Sequence, residues 1–493
     1  MTNTGTSSGA WRGARRPCRG ALAVRCALAA GLLGLFGCSS PESVPTHYNV
    51  LLVTIDTLRA DYVHSYGFFA ETTPSMDALA GRGALFETAV AASTSTLPSH
   101  ASIMTARFVR EHSVGSLNGS TRLEGLETLA ERFREAGYDT AAFVSNVLLK
   151  RRSGLDRGFE VYDDELPGGE ENRVMYFERD AEGTARRALE WLETRGAGDA
   201  SERARERPFF LWVHLQDPHG PYAPPEPFAD RVAPIALRTD RELPTLSAHR
   251  GQGGIPQYQK IEGLKRPSRY AGRYAGEVTY ADHWIGRLAE AVDRQSQPRG
   301  GVLLLTADHG ESLDEDGFFF QHGHSTTPEQ ALVPFILIAP GVEPQRVRAA
   351  VSHVDVAPTL LELAGLPPLP DPSGVSLLPL LAGGEVSGDR IVYTDIGHEL
   401  SAYGNDSYVR IRGSGLVAGG DRERETPAAI ESRLDWLVFR RGEAGRWLRD
   451  KNSPPLRREV LDYLKAEVPI VPAHRMSDED LARLRALGYL PPE

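Results

Sequence analysis

The sequence predicts an α/β fold: a large, mostly parallel sheet sandwiched by helices, with a smaller C-terminal α+β domain. Three observations predict it. Continuous apolar, β-branched-rich runs recur at residues 49–55, 140–144, 209–215, 302–306 and 335–339, the pattern of strands buried on both faces. Helical periodicity lies between them, through Leu126, Leu129 and Phe133 up to Gly137, and through Val278, Ala281, Ile285, Leu288 and Val292 at three- and four-residue steps, so helices cover the sheet. Polar residues stand where the strands stop: Asp56 after the first run, Asp217 and His219 after FFLWVHL, Asp308 and His309 after VLLLTA. In sheets of this kind ligands gather beyond the carboxyl ends of the strands. Residues 252 positions apart, Asp56 and Asp308, can therefore converge.

Composition agrees with a globular body. The chain has 493 residues, 41% hydrophobic and 25% charged, which excludes a disordered or collagenous protein and leaves room for two or three domains. A net charge of -11 argues against nucleic acid as a partner, because phosphate backbones are bound through Lys and Arg.

The N-terminus reads as a targeting segment. Arg12, Arg15, Arg16 and Arg19 form a basic start, and the apolar run 26–36 has 11 residues, too short to span a bilayer. It ends Leu35-Phe36-Gly37-Cys38-Ser39-Ser40, which resembles a bacterial lipoprotein signal whose Cys becomes the lipidated first residue. Phe36 departs from the small residue usual there. On that reading residues 1–37 are a signal peptide, Cys38 the lipid site and 38–46, small and polar, a tether; an ordinary cleaved signal or a short anchor is the competing reading. The expected location is an exported cell envelope, anchored by lipid on the periplasmic or outer-membrane side. Removing residues 1–37, with five Arg and no acid, leaves a net charge of -16. The three cysteines are Cys18 and Cys26 in this leader and Cys38 at the lipid site, so the body has no disulfide, no Cys nucleophile and no thiolate ligand.

The body is assigned to residues 47–366 and the smaller domain to 367–493, with short strands at 391–394 and 408–411 and a terminal helix near 478–487. Residues 224–273, rich in Pro, Gly and charge, form a long excursion of the kind that shapes substrate pockets.

The segment from Ser93 to Thr105 (STSTLPSHASIMT) opens a helix, with Thr96 suited to the N-cap and Pro98 to the first turn. A helix N-terminus is an anion site, and the Thr96 hydroxyl would lie beside the anion. On that segment alone, a simple cap is the competing reading.

The chain as a whole narrows the choice. NVLLVTIDTLRAD from Asn49, TLPSHASIMT from Thr96, DPHGPY from Asp217, TADHGE from Thr306, His322-Gly323 and VDVAPTLLELAGL from Val354 stand in the order found in the sulfatase family of the alkaline phosphatase superfamily, which the sequence resembles over most of residues 48–366. The resemblance implies a metal site from Asp56, Asp308 and His309, with Thr96 where sulfatases carry the Cys or Ser that becomes formylglycine. Three further positions depart from the family: His100 replaces the usual Arg, Thr57 the second Asp of many members, and Ser145-Asn146 the expected Lys-x-His.

Thr at that position resembles the branches that act on phosphorus, including nucleotide phosphodiesterases and phosphoethanolamine or phosphoglycerol transferases. A free Thr hydroxyl is a poor nucleophile, and a divalent cation lowers an oxygen's pKa, for water on zinc from roughly 16 to about 7. Asp56, Asp308 and His309 combine hard oxygen with imidazole, which suits Zn or Mn better than Ca. Asp217, His219 and His322 supply a second ion, or else His219 and His322 bind substrate and protonate the leaving oxygen; both readings stand on sequence. His100 and Asn146 are candidate substrate contacts, His324 a supporting residue, and His353 and His398 ordinary packed or surface histidines. The sequons at Asn118 and Asn405 carry no information behind a bacterial-type signal.

The expected activity is metal-dependent hydrolysis of phosphate, phosphonate or sulfate esters of a small molecule, glycan or lipid through Thr96. The alternatives are an envelope phospho-group transferase and a non-catalytic envelope binding protein.

Overall fold

The computed structural model describes residues 47–465 apart from 116–121, 171–172, 196–206, 230, 248–250, 299, 385–389, 414–415, 417–433, 443–446 and 451–456. The expected leader, Cys38, the tether, the sequon at Asn118 and the helix at 478–487 lie outside the described residues.

β1 (Asn49–Ile55) lies in the middle of the main sheet, where its apolar run is buried by neighbours on both sides. It pairs in parallel with β7 (Phe209–Leu215) and β8 (Gly301–Ala307). The sheet runs β11 (Gln345–Ser352), β2 (Ala84–Val90), β10 (Phe335–Ile338), β8, β1, β7, β3 (Asp139–Phe143), β4 (Val161–Asp163), with β9 (Leu332–Val333) added to β2. β10 is antiparallel to both of its neighbours, and the other steps along that path are parallel. β2 and β11 have no counterpart among the expected runs. Glu87 interrupts the first and pairs with Arg346 of the second at 2.9 Å, so this flank carries charge that an all-apolar pattern overlooks.

Of the helices, α1 (Pro74–Ala80), α2 (Thr96–Thr105), α3 (Val109–His112), α4 (Leu129–Glu135), α5 (Ala181–Thr194) and α6 (Pro267–Gln295) matter most here. α4 begins with a reciprocal cap: the Thr128 hydroxyl accepts from the Glu131 amide, and the Glu131 carboxylate accepts from the Thr128 amide at 2.8 Å. α6 has 29 residues and starts at Pro267, well before the apolar period becomes visible in sequence, because its first turns are Tyr-, Gly- and Ala-rich yet buried. The expected excursion runs into it, since residues 267–273 form its first turns and only the part before Pro267 is a loop region. Tyr258 there donates to the Phe320 carbonyl at 2.8 Å, and the Gly251 amide donates to the Gln321 side chain at 2.6 Å, so the excursion braces the segment leading to His322.

β5 (Gly168–Glu170) and β6 (Arg173–Glu178) form a hairpin. A separate antiparallel sheet follows, β12 (Val392–Asp395), β13 (Glu399–Tyr403), β14 (Ser407–Arg412), β15 (Asp435–Arg441) and β16 (Trp447–Asp450), paired in chain order. Leu400, Ala402, Val409 and Ile411 form its own small core with Val460 and Leu464 of the helix Arg457–Lys465. Buried polar contacts tie it to the body: Arg110 of α3 meets Asp395 at 2.7 Å, and Glu399 accepts from the Thr326 amide at 2.6 Å and the Ser325 hydroxyl at 2.9 Å.

Candidate active site

Register brings the acids together. Thr54 of β1 is paired with Thr306 of β8, so Asp56 and Asp308, each two residues further on, leave neighbouring parallel strands on one face. Both are fully buried. Oδ1 of Asp308 accepts from the amides of His309 at 2.7 Å and Thr57 at 3.2 Å, while Oδ2 of Asp56 accepts from Asn146 Nδ2 at 2.8 Å. Thr57 turns the chain out of β1 with φ 57, and its carbonyl accepts from Tyr274 Oη at 2.6 Å. A β-branched residue in left-handed backbone marks strain at a site.

α2 aims its N-terminus at these acids. Thr96 proves to be the first helical residue rather than the cap: Ser95 holds the cap position in extended backbone, φ -142 and ψ 143, and makes no side-chain cap. Pro98 is then the third helical residue, where the missing N–H still has no helical partner. The Thr96 hydroxyl is therefore not consumed by capping, and Oγ1 lies 3.3 Å from His309 Nε2. Nδ1 of His309 meets the Gly310 carbonyl at 3.0 Å. A carbonyl only accepts, so Nδ1 carries the proton and Nε2 presents a lone pair to Thr96.

Electrostatics follow from burial. It lifts Asp56 well above the usual carboxylate range, with Asp308 adding to the rise, and pushes Asp308 up to about 8. It lowers His309 to about 4, helped by His322. Oδ1 of Asp56 and Oδ2 of Asp308 make no hydrogen bond, and they lie 3.8 and 3.6 Å from His309 Nε2. Two buried carboxylates facing a bare lone pair are unfavourable without a cation. A tetrahedral shell with bonds of about 2.0–2.2 Å sets its donors roughly 3.3–3.6 Å apart. The separations of Thr96, Asp308, Asp56 and His309 approach this, and the donor set fits a divalent cation.

The other expected residues divide into two groups. His322 and His219 do belong here: the His322 ring lies 4.5 Å from His309 and 5.2 Å from His219, and its Nδ1 is 3.3 Å from Glu311. His219 also faces Tyr258 of the excursion, ring to ring at 6.2 Å. Asp217 turns elsewhere. Its Oδ2 accepts from the Ala181 amide at 2.6 Å, at the start of α5, and the carboxyl shares a hydrogen bond with buried Glu277 of α6. Asn146, fully buried, spends its Nδ2 on Asp56 and its Oδ1 on the Leu148 amide at 2.9 Å, so it orients the Asp56 carboxyl instead of facing solvent.

His100 lies beneath Thr96 with no exposed surface. Its Nδ1 donates to the Thr96 carbonyl at 2.8 Å, and Nε2 accepts from Thr54 Oγ1 at 3.0 Å, which in turn accepts from Trp212 Nε1 at 2.9 Å. Burial lowers its pKa to about 3. This neutral imidazole serves as a prop under Thr96. His324 stacks on Phe318 at 3.9 Å and meets Gln330; His353 is packed, bonded to the Ala92 amide and the Ala307 carbonyl; His398 is exposed. Two residues escaped sequence reasoning. Glu311, in TADHGE, holds His322; His214, the lone ionisable residue in FFLWVHL, lies with Nε2 3.7 Å from Asp56.

The chain is similar to several known proteins. The family model described as Sulfatase matches residues 48–366. The arylsulfatase of Clostridium perfringens is 24% identical over 407 residues, covering 73% of this chain and 82% of that protein. The choline-sulfatase of Rhizobium meliloti is 26% identical over 388 residues, 68% of this chain and 72% of that one. Among solved structures, the phosphonate monoester hydrolase from Silicibacter pomeroyi superposes with a TM-score of 0.61 at 20% identity, covering 90% of this chain and 96% of that one.

Proposed function

The chain belongs to the sulfatase family, and from that premise we propose that it is a metal-dependent hydrolase of phosphate, phosphonate or sulfate esters in which Thr96 is the nucleophile. The observation that carries this reading is the uncapped Thr96 hydroxyl, 3.3 Å from an unprotonated His309 nitrogen and beside two buried carboxylate oxygens that make no hydrogen bond.

Asp56, Asp308 and His309 would hold the ion, with Asn146, the Thr57 amide and the Gly310 carbonyl fixing their orientation. A divalent cation there lowers the pKa of an oxygen it touches and offsets charge on the group being transferred. The residues do the rest. His100 props the first turn of α2, so the Thr96 oxygen faces the group to be attacked, and the free amides of that turn face its anionic oxygens. Thr96 gives up its hydroxyl proton to solvent as its oxygen bonds to phosphorus or sulfur and the bond to the ester oxygen breaks; that oxygen departs with a proton from His219 or His322, and water then cleaves the Thr ester at phosphorus or sulfur, returning one proton to the imidazole and leaving Thr96 free to be reprotonated. Oxygen and imidazole together favour Zn or Mn over Ca.

Relatives include sulfatases and a fold neighbour that hydrolyses phosphonate monoesters. Thr96 favours phosphorus here. A formylglycine hydrate expels sulfate by collapsing to the aldehyde, whereas a Thr ester needs outside attack at the bound group, for which positioning and charge neutralisation suffice with phosphorus. Turnover of aryl phosphodiester, phosphonate and sulfate substrates by metal-loaded enzyme tests the reading, with Thr96→Ala as control. Activity that survives Thr96→Ala rejects the nucleophile. The lipoprotein-type leader supports a membrane-anchored envelope enzyme acting on small-molecule, glycan or lipid esters.

A further inference from the structure

His214 occupies the penultimate position of β7, paired in register with Thr54 of β1. Registered neighbours in parallel strands point the same way, so His214 shares the face on which Asp56 and Asp308 stand. The ring is fully buried.

Its proton can be placed by elimination. Ser145 Oγ lies 2.6 Å from the His214 carbonyl and 2.8 Å from His214 Nδ1. The carbonyl only accepts, so the single hydroxyl proton goes to it, and Nδ1 must donate to Oγ. A neutral imidazole with its proton on Nδ1 has only a lone pair on Nε2. That atom makes no hydrogen bond. It lies 3.7 Å from Oδ2 of Asp56, the oxygen that also accepts from Asn146, and one His214 nitrogen comes within 4.8 Å of an Asp308 oxygen, in a group with His100 that shares Asp308 with the group Asp56, Asp308 and His309. The Asp56 carboxyl is thus flanked by two imidazole lone pairs, His309 at 3.8 Å from Oδ1 and His214 at 3.7 Å from Oδ2. His100, the third imidazole nearby, has both nitrogens engaged.

A divalent cation would satisfy two lone pairs and two carboxylates at once. We propose that His214 Nε2 is a direct ligand of the ion held by Asp56, Asp308 and His309, giving a site of two carboxylates and two imidazoles. This rests on the metal reading above and extends it. It also explains how the site manages with Thr57: the charge of a third carboxylate is absent, and a neutral nitrogen donor on the adjacent strand completes the shell. Two carboxylates balance a divalent ion, and two imidazoles move its preference toward zinc. Ser145 fixes the ring from behind, as partners of metal-bound histidines do.

X-ray absorption on the zinc-loaded protein counts the imidazoles. Two are expected in wild type and one in His214→Gln, with metal affinity in chelator competition falling at least ~100-fold; Ser145→Ala should keep both and weaken binding about 10-fold. Circular dichroism checks that the variants fold. A zinc-loaded wild type with one imidazole overturns the proposal whether or not His214→Gln folds, and so does a folded His214→Gln with wild-type affinity. Wild type that binds no metal at all overturns instead the reading on which the proposal rests.

Discussion

The His100 imidazole supports Thr96 from one helical turn below, Nδ1 to carbonyl oxygen at 2.8 Å, and is itself held by Thr54. Replacing it removes two buried hydrogen bonds and leaves a cavity under the nucleophile. His100→Ala should cost about 2–4 kcal/mol in denaturant unfolding and lower kcat far more than it raises KM. An unchanged kcat in a folded variant would reject the propping role.

Thr96→Ala should lose at least about 1,000-fold in kcat for the best phosphorus ester while retaining bound metal, and Thr96→Ser should recover part of it. Mass spectrometry of the Thr96 peptide should show unmodified Thr at rest and a gain of phosphorus origin in trapped turnover. Sulfate turnover exceeding phosphodiester and phosphonate turnover would reverse the substrate preference.

Asp308→Ala removes the carboxylate nearest His309 Nε2, at 3.6 Å. Metal content after dialysis should fall below stoichiometric and kcat/KM should drop by several powers of ten, with the circular dichroism spectrum unchanged. Wild-type metal content would reject the ligand assignment.

Asp217 and Glu277 form a buried acid pair whose folded-state pKa values are raised, Asp217 to about 6 and Glu277 well above its usual range, mainly by desolvation. Raised carboxyl pKa values mean that the unfolded chain loses these protons first as pH rises. The pair's contribution is complete below pH ~4, the unfolded-state value, and is lost as pH climbs through 6 and beyond. Glu277→Gln should flatten this trend and gain a few kcal/mol relative to wild type at pH 8 but not at pH 4, read from urea unfolding at both values. Parallel pH profiles would reject the pairing.

Cys38 should carry lipid, so wild type should partition with membranes and Cys38→Ala should be released or stay uncleaved. Soluble wild type with a mature N-terminus elsewhere would remove the anchor.

Much of the fold is legible in the sequence alone. β1, β7 and β8 show as apolar runs because parallel strands buried on both faces have no polar side to hide them, and the acids at their ends follow from topology. β2 and β11 were not legible, since Glu87 and Arg346 satisfy each other across strands far apart in sequence. His214 was hidden for a related reason. Within FFLWVHL it reads as a tolerated core histidine, and only the pairing of Thr54 with it reveals which face it serves. Asp217, two residues from His219, suggested a shared ion; adjacency in sequence concealed that its carboxyl faces α5 and α6.

The backbone at Thr57 is held by its amide to Asp308 and its carbonyl to Tyr274, contacts in which the side chain takes no part. Left-handed backbone suits Asn and Asp better than a β-branched residue. For pyrimidine-ending codons, Thr reaches Asn by one base change and Asn reaches Asp by another, and every intermediate fits the conformation already in place. Thr57→Asn and then Asn→Asp should therefore be accepted by the backbone already in place, and on the proposed metal reading the final carboxylate would add a hard oxygen beside Asp56 and Asp308 and shift the preference of the site toward calcium.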